Sequence, residues 1–156
     1  MAEITRVAAI GVNHWHALYD AAYLLMLKNM PDVEIVALQD DDESRARERV
    51  EKLAIADPAK APKVYTDYRR MLDETRPDFV LALGKPTDMA ATAHHLLDRG
   101  LPFVMEKPMG YNADEVRGIA DKARAVKGFA TVSLPYRFQP QTVMAQPWQS
   151  GAKTRP

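Results

Sequence analysis

Three short segments carry side chains whose types and spacing suit chemistry. In Gly11-Val12-Asn13-His14-Trp15-His16 an apolar run stops at a glycine, the residue that turns most freely. A turn from strand to helix at that point offers backbone N–H groups and the positive end of a helix macrodipole to an anion. Asp40 opens the acidic run Asp40-Asp41-Asp42 directly after a second apolar segment. A carboxylate at a strand end can accept hydrogen bonds from sugar hydroxyls. Glu106-Lys107-Pro108 follows a third apolar segment, and an ammonium there can stabilise a developing alkoxide. Pro108 sets the chain direction through a bond type that takes the cis form readily. His14 and His16 place two imidazoles close together, but no Asp, Glu or further His joins them within the local motif, so no metal is expected.

The elements that must hold these segments follow from periodicity. Residues 5–10 form a Val/Ala/Ile strand, and Ala17, Ala21, Leu24 and Leu25 recur at helical spacing after the turn. Val33–Gln39 is the second strand, and Glu43–Ile55, rich in Arg, Glu and Ala, is the helix after it. Residues 63–65 make a short third strand, and Asp67 or Thr66 caps a helix running to Pro77. Asp78–Leu83 is the fourth strand, and the turn 84–87 leads with Thr87 as N-cap into a helix closed by Gly100. Residues 102–105 form the fifth strand. Asn112 with Glu115 makes a capping-box-like start for a helix ending at Gly128, and residues 129–133 form the sixth strand. Short apolar strands alternating with helices predict an α/β fold, a doubly wound parallel sheet of about six strands with helices on both faces.

Composition narrows the classes. The 156 residues, 47% hydrophobic and 27% charged, suffice for one core without staples, and the absence of cysteine excludes disulfides and thiol chemistry. Acidic and basic residues balance at 21 each, so no overall field steers the chain toward nucleic acid or an acidic membrane. No apolar run approaches the ~20 residues of a membrane span, and residues 1–7 lack the layout of a secretory signal. A cytoplasmic location is the expectation. After Ser133 the periodicity fades and prolines accumulate. The expected division is a nucleotide-binding domain over residues 1–133, followed by a linker or the start of a missing or truncated second domain over 134–156.

The combination of residues 7–13, Asp40 after the second strand, Thr66–Leu72 followed by PDFVLAL, the helix carrying His94, and above all Met105-Glu106-Lys107-Pro108-Met109 resembles the N-terminal domain of the glucose-fructose oxidoreductase / inositol dehydrogenase / MocA family over roughly residues 4–140. The resemblance implies a Rossmann domain with strand order 3-2-1-4-5-6. It also implies NAD or NADP as cofactor, hydride transfer at a sugar- or polyol-like small-molecule substrate, and a second domain supplying further acid–base groups. The isolated chain is then expected to keep at most cofactor binding.

The family's glycine-rich turn falls on Gly11, Val12, Asn13 and His14, with Asn13 in place of a second glycine and His16 in place of a third. Asn tolerates positive φ, although its side chain crowds a pyrophosphate, and His16 holds the helix off the sheet. Asp40 lies beyond the usual ~20-residue spacing but at the strand end where ribose hydroxyls bind, which favours NAD. Arg45, placed to stack on adenine or meet a phosphate, leaves NADP open. Gly84 and Lys85 follow the fourth strand and face the cofactor from the other side, with an exposed turn lysine as the plain alternative. By the resemblance Lys107 enters the active site, Glu106 shapes the nicotinamide-ribose end, and Arg137 in Tyr136-Arg137-Phe138 contacts cofactor or substrate. One of His94 and His95 turns to the sheet as a hydrogen-bonded core residue. Two other readings stand beside this one: a non-catalytic interaction module with weakened cofactor affinity, and a site completed by a homo-oligomer or partner chain.

Overall fold

The computed structural model describes residues 3–149. Six strands build one sheet: β1 (Thr5–Ile10), β2 (Val33–Gln39), β3 (Lys63–Tyr65), β4 (Phe79–Ala82), β5 (Phe103–Met105) and β6 (Ala130–Val132). They run in the order β3-β2-β1-β4-β5-β6 with every pair parallel. This is the expected doubly wound order. The helices are α1 (Tyr23–Lys28), α2 (Glu43–Leu53), α3 (Tyr68–Thr75), α4 (Pro86–Asp98), α5 (Ala113–Val126) and α6 (Pro140–Gln149). Among the described residues no helix is long and apolar enough to cross a membrane.

Alternation along the central strands separates the core into two layers, because successive side chains point to opposite faces. Ala8, Ile10, Val80 and Ala82 pack with α3, α4 and α5 through Met71, Leu96 and Ile119. Ala9, Leu38, Leu81 and Leu83 pack with α1 and α2 through Leu24, Ala46 and Leu53. Both faces of the sheet centre are therefore covered, as a parallel sheet requires.

Helix starts are set by short polar side chains. Asp42 accepts from Ser44 N–H at 3.0 Å, and Asp67 accepts from Arg69 N–H at 2.7 Å. Asn112 accepts from the N–H groups of Asp114 and Glu115, both at 3.0 Å, while the Glu115 carboxylate reaches back to Tyr111 N–H at 2.7 Å. Asn112→Ala removes the cap from two donors. We expect it to lower stability by about 1 kcal/mol, read from the urea midpoint, with Glu115 retaining part of the helix start.

Four local expectations are corrected. The first helix does not follow the turn directly: residues 15–17 form a 3-10 turn, Asp20 and Ala22 take positive φ, and α1 begins at Tyr23. Side-chain anchors explain the detour, since Trp15 Nε1 donates to Asp20 at 2.9 Å and the His16 ring is held elsewhere. The N-cap of α4 is Lys85, not Thr87, because Pro86 occupies the first helical position, where its missing N–H costs nothing. Lys127, not Gly128, takes the left-handed position that closes α5. Residues 140–149 form a helix that weak periodicity did not announce. Gly100 closes α4 as expected, with Leu101 N–H returning to Leu96 O at 3.0 Å and Gly100 N–H to Leu97 O at 3.1 Å.

Candidate cofactor and substrate clefts

All six strands point their carboxyl ends at one edge, and between β1 and β4 the chain reverses its direction of travel across the sheet. Ligands bind at such switch points because the loops diverge there and leave a crevice. Gly11 sits at that point with φ +69°, and an added Cβ would lie 2.4 Å from Gly84 Cα. The two loops thus meet backbone to backbone.

The turn after β1 spends its donors internally. Gly11 N–H donates to Gln39 O at 2.9 Å, Val12 N–H to the same oxygen at 3.1 Å, and Asn13 N–H to Asp40 Oδ2 at 2.8 Å. These N–H groups thus face the end of β2 and the Asp40 carboxylate that follows it, and α1 begins only at Tyr23. Val12 is a core side chain, and its carbonyl accepts from Arg49 Nε at 3.1 Å.

On one side of the Gly11–Gly84 contact lies a cleft of about 300 Å³, lined by Asn13, Asp40, Arg69, Gly84 and Lys85 among others. Asp40 is 2% exposed, with one oxygen on Asn13 N–H and the other on Asp42 N–H at 3.2 Å. Each oxygen keeps a lone pair for a further donor. Lys85 Nζ and Asp41 Oδ2 pair at 2.8 Å, and this pairing raises the lysine pKa. Arg45 does not reach the cleft; its Nε lies 3.4 Å from Asp42 on the α2 surface. Arg69 does reach it and lies over the Tyr68 ring at 5.2 Å. Its position just after the Asp67 cap, at the carboxyl end of β3, was a signal that sequence reading passed over. His95 sits behind this wall, edge-on to Tyr68 at 5.6 Å, with Nε2 buried and without a partner among the described residues, which corrects the expected hydrogen bond. Burial lowers its pKa.

On the other side opens a larger cleft of about 880 Å³, where Lys107 and Arg137 meet His16, Tyr23, Glu106 and Ser133. Glu106 is 2% exposed at the end of β5. It accepts from His16 Nδ1 at 2.8 Å, from Tyr23 Oη at 2.9 Å and from Lys107 N–H at 2.9 Å. Burial pushes this carboxyl up, but the three hydrogen bonds outweigh it and hold the group below its ordinary range. Ser133 Oγ lies 2.6 Å from the Tyr23 hydroxyl, and with the phenol proton directed at Glu106 the serine is the donor. Burial raises the Tyr23 pKa, so the phenol stays protonated. The Lys107–Pro108 bond is cis. His14, whose pKa is lowered chiefly by burial, accepts from His16 N–H at 3.2 Å. No carboxylate joins the two imidazoles within the local motif, but one reaches them through the fold. Glu106 comes to them from a distant part of the chain, because β1 and β5 end on the same edge with only β4 between.

A family described as oxidoreductases with an NAD-binding Rossmann fold, Gfo/Idh/MocA, matches residues 5–134. The chain belongs to the Gfo/Idh/MocA oxidoreductase family. Among its relatives, the rhizopine catabolism protein MocA of Rhizobium meliloti is 32% identical over 101 residues, covering 59% of this chain and 32% of that protein. A trans-1,2-dihydrobenzene-1,2-diol dehydrogenase of Macaca fuscata fuscata is 29% identical over 136 residues, covering 83% of this chain and 39% of that protein. The myo-inositol dehydrogenase of Lactobacillus casei, solved in complex with NAD(H) and myo-inositol, superposes with a TM-score of 0.77 at 22% identity, over 95% of this chain and 42% of that one. The chain thus spans well under half the length of these proteins.

Proposed function

We propose that this chain forms the cofactor-binding part of an NAD-dependent dehydrogenase acting on a small polyol- or diol-like alcohol. The observation that carries the reading is the pair of clefts meeting at the Gly11–Gly84 contact, with the Asp40 carboxylate in one and the Lys107 ammonium in the other. The donor set fits a dinucleotide: a buried carboxylate with free lone pairs for ribose hydroxyls, cations at Lys85 and Arg69 beside it, and a roomier cleft beyond. A bound nicotinamide would supply the hydride donor or acceptor. Lys107 would orient the substrate hydroxyl and stabilise negative charge on its oxygen. Glu106, engaged by three donors, positions the segment and does not exchange protons. Arg137 adds positive charge to the same cleft. Asp40 and the adjoining Asp41 and Asp42 repel a 2′-phosphate, so NAD is preferred over NADP. The diol dehydrogenase relative and the neighbour holding myo-inositol support the substrate class.

Calorimetric titration of the chain with NADH and NADPH tests the reading. NADH is expected to bind more tightly than NADPH. Asp40→Asn should weaken NADH about tenfold, the scale of a hydrogen bond to a charged group, and narrow the difference between the two cofactors. Lys107→Met should leave cofactor affinity unchanged. A second reading, a non-catalytic module of the same fold, is favoured by the turn donors already being satisfied at Gly11, Val12 and Asn13. Absence of heat with either cofactor at millimolar concentration would decide for it.

A further inference from the structure

We propose that His14, His16 and Glu106 form a binding site for a zinc-class divalent metal ion beside the larger cleft. One ligand atom from each of the three residues lies within 4.8 Å of the others. Two imidazoles and a carboxylate are the donor set that borderline transition ions prefer, whereas calcium and magnesium take oxygen ligands. In a tetrahedral zinc site with bonds of about 2.0–2.2 Å, neighbouring ligand atoms stand roughly 3.3 Å apart. The His16 Nδ1 to Glu106 Oε2 distance of 2.8 Å needs to open slightly and His14 to close slightly, both within reach of side-chain rotation.

An ion between the three residues would replace the hydrogen bonds that now link them. The His14 Nδ1 lone pair, which now accepts from His16 N–H at 3.2 Å, is the one that a ring with its proton on Nε2 offers to an ion. Glu106 is almost fully buried and is oriented by the Tyr23 hydroxyl on Oε2 and by Lys107 N–H on Oε1. For His16 to coordinate through Nδ1 its ring proton moves to Nε2, which faces Asp20 Oδ2 at 4.0 Å, itself fixed by Trp15 Nε1 at 2.9 Å. A carboxylate backing a histidine, and donors backing the carboxylate ligand, are the outer contacts that orient metal ligands. The irregular path of residues 13–22 has a role here, since a continuous helix from the turn would carry His16 away from Glu106. His16 and Glu106 both line the cleft that contains Lys107. Three protein ligands leave a fourth position, reached from that cleft, for water or a hydroxyl oxygen of a small molecule.

The test uses the full chain, stripped with a chelator and titrated with Co²⁺ followed by visible absorption, then with Zn²⁺ in competition. We expect one ion per chain with intense tetrahedral-type Co²⁺ bands displaced by Zn²⁺, and a higher melting temperature in excess Zn²⁺. His14→Ala and His16→Ala should each weaken binding at least about tenfold, the effect that loss of an orienting partner alone can reach. The distant His94→Gln should bind as the parent does. If His16→Ala does not fold, His14→Ala carries the test, because that side chain bonds only within its own turn. Failure to saturate at one ion per chain, or unchanged affinity in a folded His14→Ala variant, would overturn the proposal. NADH titration of the same samples reads the cofactor proposal separately, so either can fail alone.

Discussion

Gly11→Ala is expected to destabilise the protein by about 2–5 kcal/mol, combining left-handed strain of about 1–2 kcal/mol with overpacking of about 1–3 kcal/mol. The new Cβ would stand 2.4 Å from Gly84 Cα and 2.6 Å from Gly84 N, contacts with backbone that no rotamer change relieves. Relief requires the β1 and β4 loops to separate. A shift of the β1 loop away from β4 presses it toward β2 and distorts the Gly11 and Val12 N–H bonds to Gln39 O, so the damage spreads to the β2 end and to Asp40. The urea unfolding midpoint measures the stability change, and NADH affinity measured below that midpoint should fall with it. A Gly11→Ala protein within 0.5 kcal/mol of the parent, a bound on the order of ordinary surface substitutions, would show that the loops do not meet as described.

Glu106→Ala should cost a comparable amount, about 2–4 kcal/mol, because it leaves several donors without their acceptor. Two circumstances keep the loss below that of a fully sealed ion pair: Tyr23 retains Ser133 at 2.6 Å, and His16 is partly open to water. The double variant Glu106→Ala/His16→Ala should lose less than the sum of the two single changes, since the second substitution removes a group the first has orphaned. Strict additivity in chemical denaturation would mean that the His16–Glu106 contact contributes nothing.

Both substitutions bear on what can be read along the chain and what cannot. The strand order came from the family resemblance, whereas the six parallel strands, both covered faces and the Asp67 and Asn112 caps follow from patterns within a dozen residues, because burial alternates with a fixed period and caps act on the next turn. Asp40 at the end of β2 was legible for the same reason. Arg45 was misplaced: proximity along the chain suggested the cleft, but the i,i+3 relation on α2 gives Asp42 the first claim on it. The turn's free donors were likewise overestimated, since nothing near Gly11 in sequence indicates that the Gln39 carbonyl will take them.

Local chemistry therefore specified a parallel six-stranded sheet, its ligand-binding edge, and the residues Gly11, Asp40 and Lys107 along that edge. The cluster behind Lys107 arose differently. His16 and Glu106 are 90 positions apart, Tyr23 and Glu106 83, and Tyr23 and Ser133 110. No periodicity or capping rule spans such separations. They meet because the order β1-β4-β5-β6 sets the carboxyl ends of β1, β5 and β6 on one edge, and because residues 13–22 leave the helical path and turn His16 and Tyr23 toward the buried carboxylate.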